Sequence, residues 1–480
     1  MSLSSALSNA LSGLTASARG AGVVSSNISN AMNDGYATRE LSLSARTGGA
    51  SGGVSINGVT RLVDQALLGD RRHADSTQAA AQVTSGYLDR LSTVIADPTK
   101  PSSLTSLVAD FESDLIAAAS LPESETRLQS VWNSATAIAD SLHSMSQSVQ
   151  SLRAEADNAI DTQIAKLNLA LENVEQLNKD IIAATTQGRD TAGLMDQRQA
   201  EIDTISQMVP VQELQRDMGT VALMTPGGAV LLDGQAAELS FTPNNTVVAH
   251  MSLENGLLSG LQINGSDVST ADGGAMSGGS LGALFTVRDE LLPEIQSELD
   301  TIALDLIERF GTGFDDSLPP GEPGLFWDDG ATAGVTTGLA SRIGLNTAAD
   351  PDAGNLWRLR DGLGTTTETA GGNATLLQSM QAALNAISSP SSDALGSASR
   401  DTASLISDFL SSMGLRETET AQDLSFAAAR QSELKEMELA LGVDTDAEMQ
   451  KLLLIEQSYA ANAKIIQAVD EMLQQLMEIG

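Results

Sequence analysis

Cysteine is missing from all 480 residues, which excludes disulfides, thiolate nucleophiles and thiolate metal sites. Histidine is nearly missing. His73, His143 and His250 lie far apart, and no HExxH or other paired-histidine metal motif occurs. Aromatic side chains are scarce, with 8 Phe, 3 Trp and 3 Tyr, so thick cores built around large rings are not expected. Thin layers of Ala, Leu, Ile, Val and Met are, and these suit slender helical bundles. Basic residues are outnumbered, 26 Lys and Arg against 62 Asp and Glu, for a net charge of −36. That balance argues against nucleic acid and anionic membrane as partners, because phosphate binding needs clustered Lys and Arg. No apolar run approaches the 18 or so residues of a membrane-spanning helix. The first basic residue is Arg19 and no apolar h-region follows it, so a cleaved signal peptide is not expected.

What is present is heptad periodicity at both ends. Leu3, Ala10, Ser17, Val24 and Ala31 fall on one row, and Leu7, Leu14, Ala21 and Ile28 on another. Steps of three and four put both rows on one helix face. Gly13, Gly20 and Gly22 make this helix marginal alone, at roughly 1 kcal/mol each against Ala. Near the other end, Leu452, Tyr459, Ile466 and Leu473 form one row, and Ile455, Asn462, Val469 and Leu476 form the second. Gly442 is expected to stop the preceding helix, and Thr445 with Glu448 to start this one as a capping box. Each stripe needs a cover, and the other stripe is the nearest candidate.

The chain between them reads mostly as helix. Pro98, Pro101 and Pro122 punctuate helical segments, and no further proline occurs before Pro210. The row from Leu128 through Ile138, Val149, Ala156 and Ile164 to Val174 keeps a 3-4 spacing with one stutter, and Gly188 is expected to end the helix. A helix of that extent spans about 100 Å at 1.5 Å per residue. A second long helix runs through Ile406, Met413, Leu424, Leu434 and Leu441, and Pro293 is expected to kink or interrupt a third. Residues 209–280 change to alternation with turn signals, which reads as a small inserted β domain of hairpins.

Candidate chemistry is weak. Gly278-Gly279-Ser280-Leu281-Gly282 matches the GxSxG nucleophile elbow, but no buried strand precedes it and no His follows it. Ser280 is expected instead to cap a helix. The acidic loop 314–329 lacks the D-x-D-x-D-G spacing of a calcium loop, and Phe326-Trp327 is expected to anchor it. No catalytic, cofactor or metal residue is assigned.

The stretch from Ser25 to Tyr36 resembles the N-terminal signature of bacterial flagellar axial proteins, carried by Asn27, Ile28, Asn30, Gly35 and Tyr36. Ser26 and Asn33 stand where that pattern has Asn and Thr. Asn30 and Asn33-Asp34-Gly35 also suit a helix end and a chain turn. Leu194-Met195-Asp196-Gln197-Arg198, then Gly279-Ser280-Leu281-Gly282 with Arg288, then Gly313-Phe314-Asp315 with Phe326, then Gly442 to the final stripe, resemble the hook-associated protein 1 family in family order. The central β region is shorter than in the longest members.

The resemblance implies a non-enzymatic structural subunit at the junction of flagellar hook and filament. It implies export through the flagellar type III apparatus and an extracellular location. The implied partners are further copies of the chain, hook protein, a second junction protein and an export chaperone at the C-terminal segment. A hook-type or filament-type axial protein and a secreted helical adhesin are the alternatives.

The expected fold is mainly α with a β insertion, an elongated antiparallel helical bundle or coiled coil formed with both termini. Its expected segments are 1–60 (terminal helix and connector), 61–207 (rod), 208–280 (β domain), 281–311 (rod helix), 312–372 (loop and β extension), 373–441 (rod) and 442–480 (terminal helix). Subunit contacts are assigned to Leu3, Leu7, Leu14, Val24, Ile28, Leu452, Ile455, Tyr459, Ile466, Val469, Leu473 and Leu476.

Overall fold

The computed structural model describes residues 3–33, 35–46, 52–95, 103–311, 314–319, 321–330 and 335–479. In chain order, helix α1 (Leu3–Ser29) is followed by a hairpin of β1 (Arg39–Ala45) and β2 (Val54–Arg61). Helices α2 (Gln65–Ile95), α3 (Leu104–Ser120), α4 (Glu125–Thr186) and α5 (Ala192–Met208) come next. Strands β3 (Gln212–Gln215), β4 (Val221–Met224), β5 (Val230–Asp233) and β6 (Gln235–Ala236) form one antiparallel sheet in that order. Strands β7 (Leu239–Ser240), β8 (Leu261–Ile263) and β9 (Ser266–Val268) form another. Then come α6 (Gly279–Thr286), α7 (Leu292–Arg309), β10 (Phe326–Asp328), β11 (Ile343–Leu345), α8 (Arg358–Asp361), α9 (Thr375–Asn385), α10 (Thr402–Ala440) and α11 (Thr445–Ile479).

The chain forms two compact units. The first takes residues up to 78, then 165–238, and all from 427 on; the second takes 79–164 and 239–426. This differs from the seven consecutive segments expected. The single β domain expected over 208–280 is two sheets, divided between Glu238 and Leu239, one sheet in each unit. Turn signals mark where strands end but carry no information on which helices each hairpin packs against. The 39–61 hairpin was also not expected, although Leu41 and Leu43 alternate with Ser42 and Ser44 as a half-covered strand should.

Helix α4 is continuous, and Leu128, Ile138, Val149, Ala156, Ile164 and Val174 are all buried along it. The 3-4 spacing sets that face, and the stutter does not break it. Between α6 and α7 a π-turn over Val287–Leu291 precedes Pro293, which lies in the first turn of α7. Residues on both sides of the π-turn keep right-handed helical angles, so the proline interrupts the α-helical run without ending it, as expected. One cap differs from expectation: Gly278, at φ 87°, is the cap of α6, and the Ser280 hydroxyl donates to Gln163 Oε1 at 2.9 Å instead. Helix α10 ends at Ala440 and Gly442 follows its cap as expected, its amide donating to the Leu439 carbonyl at 2.9 Å, where a Cβ would stand 2.8 Å from that oxygen.

In the second unit Phe326 is fully buried against Phe111 and Phe310, with ring centroids 6.1 and 5.4 Å away. The same unit buries Arg288 and Asp157 completely, paired at 2.6 Å. Arg288 also donates to Asp289 and to the Ser259 carbonyl. Burial pushes the neighbouring Arg153 guanidinium down to about 10. The carboxylates of the acidic loop are engaged locally, Asp315 with the amides of Ser317 and Leu363, Asp328 with Arg342. Gly313 and Asp34, both cited above, lie outside the described residues, as do Pro98 and Pro101.

Candidate subunit interface

Helices α1 and α11 pack against each other along the first unit. They run antiparallel. A Cβ on Gly13 would stand 2.7 Å from Asn462 Nδ2, and one on Gly20 would stand 3.2 Å from Ile455 Cδ1. Seven residues further along α1 and seven back along α11, Asn27 Nδ2 donates to Glu448 Oε2 at 3.0 Å. The two glycines are notches that admit larger side chains from the partner helix. Their cost to an isolated helix is offset by the close approach they allow.

On α1 the close approaches to α11 fall on Gly13, Gly20 and Asn27, a row beside the two apolar rows expected. Ala10 and Val24 of the first row are buried, but Leu7, Leu14 and Ile28 flank the contact, while Gly13, Gly20 and Asn27 face it. A hydropathy pattern favours leucines over glycines, whereas packing here selects the residues with no side chain. On α11 the row Ile455, Asn462 and Val469 faces α1, and Val469 is buried. Of the remaining assigned residues, Leu3, Leu14, Ile28, Leu452, Ile455 and Ile466 are half-buried. Leu7, Tyr459, Leu473 and Leu476 are exposed. Exposed too are Leu453, Leu454, Ile465, Met472 and Met477, so α11 carries apolar side chains on faces that α1 does not cover. A groove of about 460 Å³ between α1, β1 and α11 is lined by Val24, Leu41, Leu43, Leu454 and Ile455.

One polar node closes the seam. Asn27 is fully buried and makes four hydrogen bonds. Its Nδ2 donates to Glu448 and to the Arg39 carbonyl at 2.9 Å; its Oδ1 accepts from the Arg39 amide at 3.1 Å and the Tyr36 hydroxyl at 2.9 Å. Asn30 donates to the Ser26 carbonyl, and Gly35 turns the chain at φ 83°, which brings Tyr36 back. The signature residues thus build the junction of helix, turn and strand.

Glu448 does not act as a capping-box partner. Asp444 caps α11, accepting from the amides of Asp446 and Ala447, and frees Glu448 to cross to Asn27 and to accept from Lys451. Sequence spacing alone cannot tell a capping glutamate from a crossing one.

Arg39 continues the network into α5. Its guanidinium meets Asp196 Oδ2 at 2.7 Å, and Arg61 meets Asp196 Oδ1 at 2.7 Å and Gln199 at 2.8 Å. Two residues beyond Asp196, Arg198 donates to Asn178 Oδ1 and the Gly219 carbonyl, and burial pushes it down to about 10. The Leu194–Arg198 motif is therefore a structural clamp.

Family models were found for two stretches of the chain. Residues 88–313 match the helical domain of flagellar hook-associated protein FlgK, and residues 440–479 match the C-terminal segment of flagellar basal body rod FlgEFG proteins. Over residues 88–313, a little under half of its length, the chain is thus similar to the hook-associated FlgK proteins. The second match falls on α11, the helix that pairs with α1. Flagellar hook-associated protein 1 of Escherichia coli (strain K12) is 26% identical over 339 residues, covering 67% of this chain and 59% of that protein. The Bacillus subtilis protein of the same name is 25% identical over 339 residues, covering 63% and 66%. The chain thus spans less than two thirds of these relatives' length. A solved structure, the flagellar hook junction protein FlgK from Burkholderia pseudomallei, aligns with a TM-score of 0.45 at 19% identity, covering 54% of this chain and 46% of that one.

Among the described residues no helix is long and apolar enough to cross a membrane, and no group of three or more His, Asp or Glu is placed to hold a metal ion.

Proposed function

We propose that this chain is a structural subunit of the bacterial flagellum at the junction of hook and filament, polymerised through α1 and α11. The observation that carries this reading is the apolar surface left on the paired terminal helices. Leu453, Leu454, Tyr459, Ile465, Leu473 and Leu476 are exposed on α11 in a single chain, in a protein of net charge −36. Burying such side chains stabilises association by about 25 cal/mol per Å² removed from water, and contiguous exposed apolar surface marks an interaction site. Further copies of the chain, hook protein on one side and a second junction protein on the other are the partners that cover it. An export chaperone at α11 keeps the same surface from aggregating before assembly, and the chain reaches the cell exterior by the flagellar export route. No catalytic role is assigned. The Ser280 hydroxyl donates to the Gln163 amide oxygen, which is not a base.

The test is a strain lacking the gene. Hooks should form, filament protein should appear in the medium, and a copy lacking residues 442–480 should not restore filaments. Normal filaments on the deletion strain would overturn the junction assignment. Absent hooks would favour the rod or hook class, to which the rod-type match over 440–479 also belongs by its printed name.

A further inference from the structure

Gly13 with Asn462, Gly20 with Ile455 and Asn27 with Glu448 step by seven along both helices in opposite directions. Between Gly13 and Gly20 the seam does not by itself choose between registers seven residues apart: its one polar residue, Asn462, faces Gly13 and after a slip of seven would again face a glycine, Gly20, while the small and apolar residues meet similar partners. The node at its end does not repeat. Asn27 is 0% exposed with all four hydrogen bonds made, and Glu448 is 2% exposed, with Oε2 on Asn27 and Oε1 on Lys451. We propose that Asn27 and Glu448 are the register key of the terminal helix pair, positioning α11 against α1.

The two neighbouring registers show why. A slip in one direction places Asn27 opposite Ile455 and carries Glu448 beyond Ser29, where α1 ends. The opposite slip places Glu448 opposite Gly20 and carries Asn27 past Thr445, where α11 begins. Both leave a buried amide or carboxylate without its partner, a cost that the apolar rows do not incur. The use of a single polar pair to fix register in a coiled seam is well attested. Either slip moves α11 by about 10 Å, seven residues at 1.5 Å each. Under the junction reading, a neighbouring subunit would then meet the wrong side chains.

The absence of cysteine makes the test direct, since engineered thiols have no competitors. The purified full chain is used, so the outcome does not depend on the junction assignment. Mild oxidation should cross-link Gly20→Cys with Ile455→Cys, the native register, and leave Gly20→Cys with Asn462→Cys, the slipped register, largely unlinked. Adding Asn27→Leu should raise the slipped cross-link at least threefold. Adding Glu448→Gln, which keeps an oxygen for Asn27 Nδ2, should leave the native pattern unchanged. A merely structural residue would lower both cross-links together. An unchanged slipped fraction with Asn27→Leu overturns the proposal. If Asn27→Leu abolishes both cross-links, Glu448→Leu is read in the same assay: a raised slipped fraction supports the key, and no rise, or loss of both, overturns it.

Discussion

Arg39 and Arg61 stand directly opposite each other across the β1–β2 hairpin, and both guanidinium groups close on the single carboxylate of Asp196. Like charges facing each other across a strand pair repel. Asp196 converts that repulsion into a clamp that joins the hairpin to α5, while Asn27 holds the Arg39 backbone at the other side. Replacing Asp196 with Ala leaves two half-buried cations unpaired. The expected loss is about 2–3 kcal/mol, below the roughly 3–5 of a fully buried pair. Hydrogen exchange of the β1 and β2 amides should report it first, and unchanged protection would show that the clamp does not hold the hairpin.

The glycines of α1 are predicted to behave differently. Gly22 has nothing within 4 Å of a Cβ, so Gly22→Ala should stabilise α1 by up to about 1 kcal/mol through helix propensity. A Cβ on Gly13 would meet Asn462 at 2.7 Å, so Gly13→Ala should give no such gain and Gly13→Leu a clear loss. Thermal unfolding followed through helix signal, variant against parent, separates the two sites.

The Asp157–Arg288 pair of the second unit has no exposed side-chain surface. Removing either partner should cost about 3–5 kcal/mol, since the survivor is left charged and buried. The double apolar replacement should not recover all of that loss. Asp157 also accepts from the Asn244 amide and Arg288 donates to the Ser259 carbonyl, and both groups would lose their partner. Denaturant unfolding of the two single variants and the double variant decides it.

Arg360 and Thr369 together hold the Asp361 carboxyl at about 2, below its ordinary 3.8, mainly through the Arg360 hydrogen bonds. A folded-state value below the unfolded one means stability that is fully present above the unfolded value. It is lost as pH falls from there through the folded value. The parent should therefore lose stability relative to Asp361→Asn as pH drops from about 5 towards 2. Parallel stability curves for the two proteins would remove this assignment.

Much of the fold was legible because side-chain spacing determines it. The buried face of α4 follows from its 3-4 row, and α11 from its sustained heptads, apolar at every row position except Asn462. Other features depend on tertiary context. The seam of α1 lies one position from its leucine row because Gly13 and Gly20, silent on any hydropathy scale, let α11 approach. The short alternation around Leu41 and Leu43 carried a strand signal that the surrounding polar residues obscured. The division at Glu238 and Leu239 depends on which helices each hairpin meets, which no local pattern records. Asn27 was legible as part of a signature, but its bond to Glu448 joins residues 421 positions apart.

That separation governs timing. A chain made from its first residue onwards produces α1 long before the helix that covers it, so the pair is among the last contacts available. Bringing ends so distant together is entropically slow. Helix α1 consequently waits, with its Gly13 and Gly20 notches uncovered, until α11 has been made.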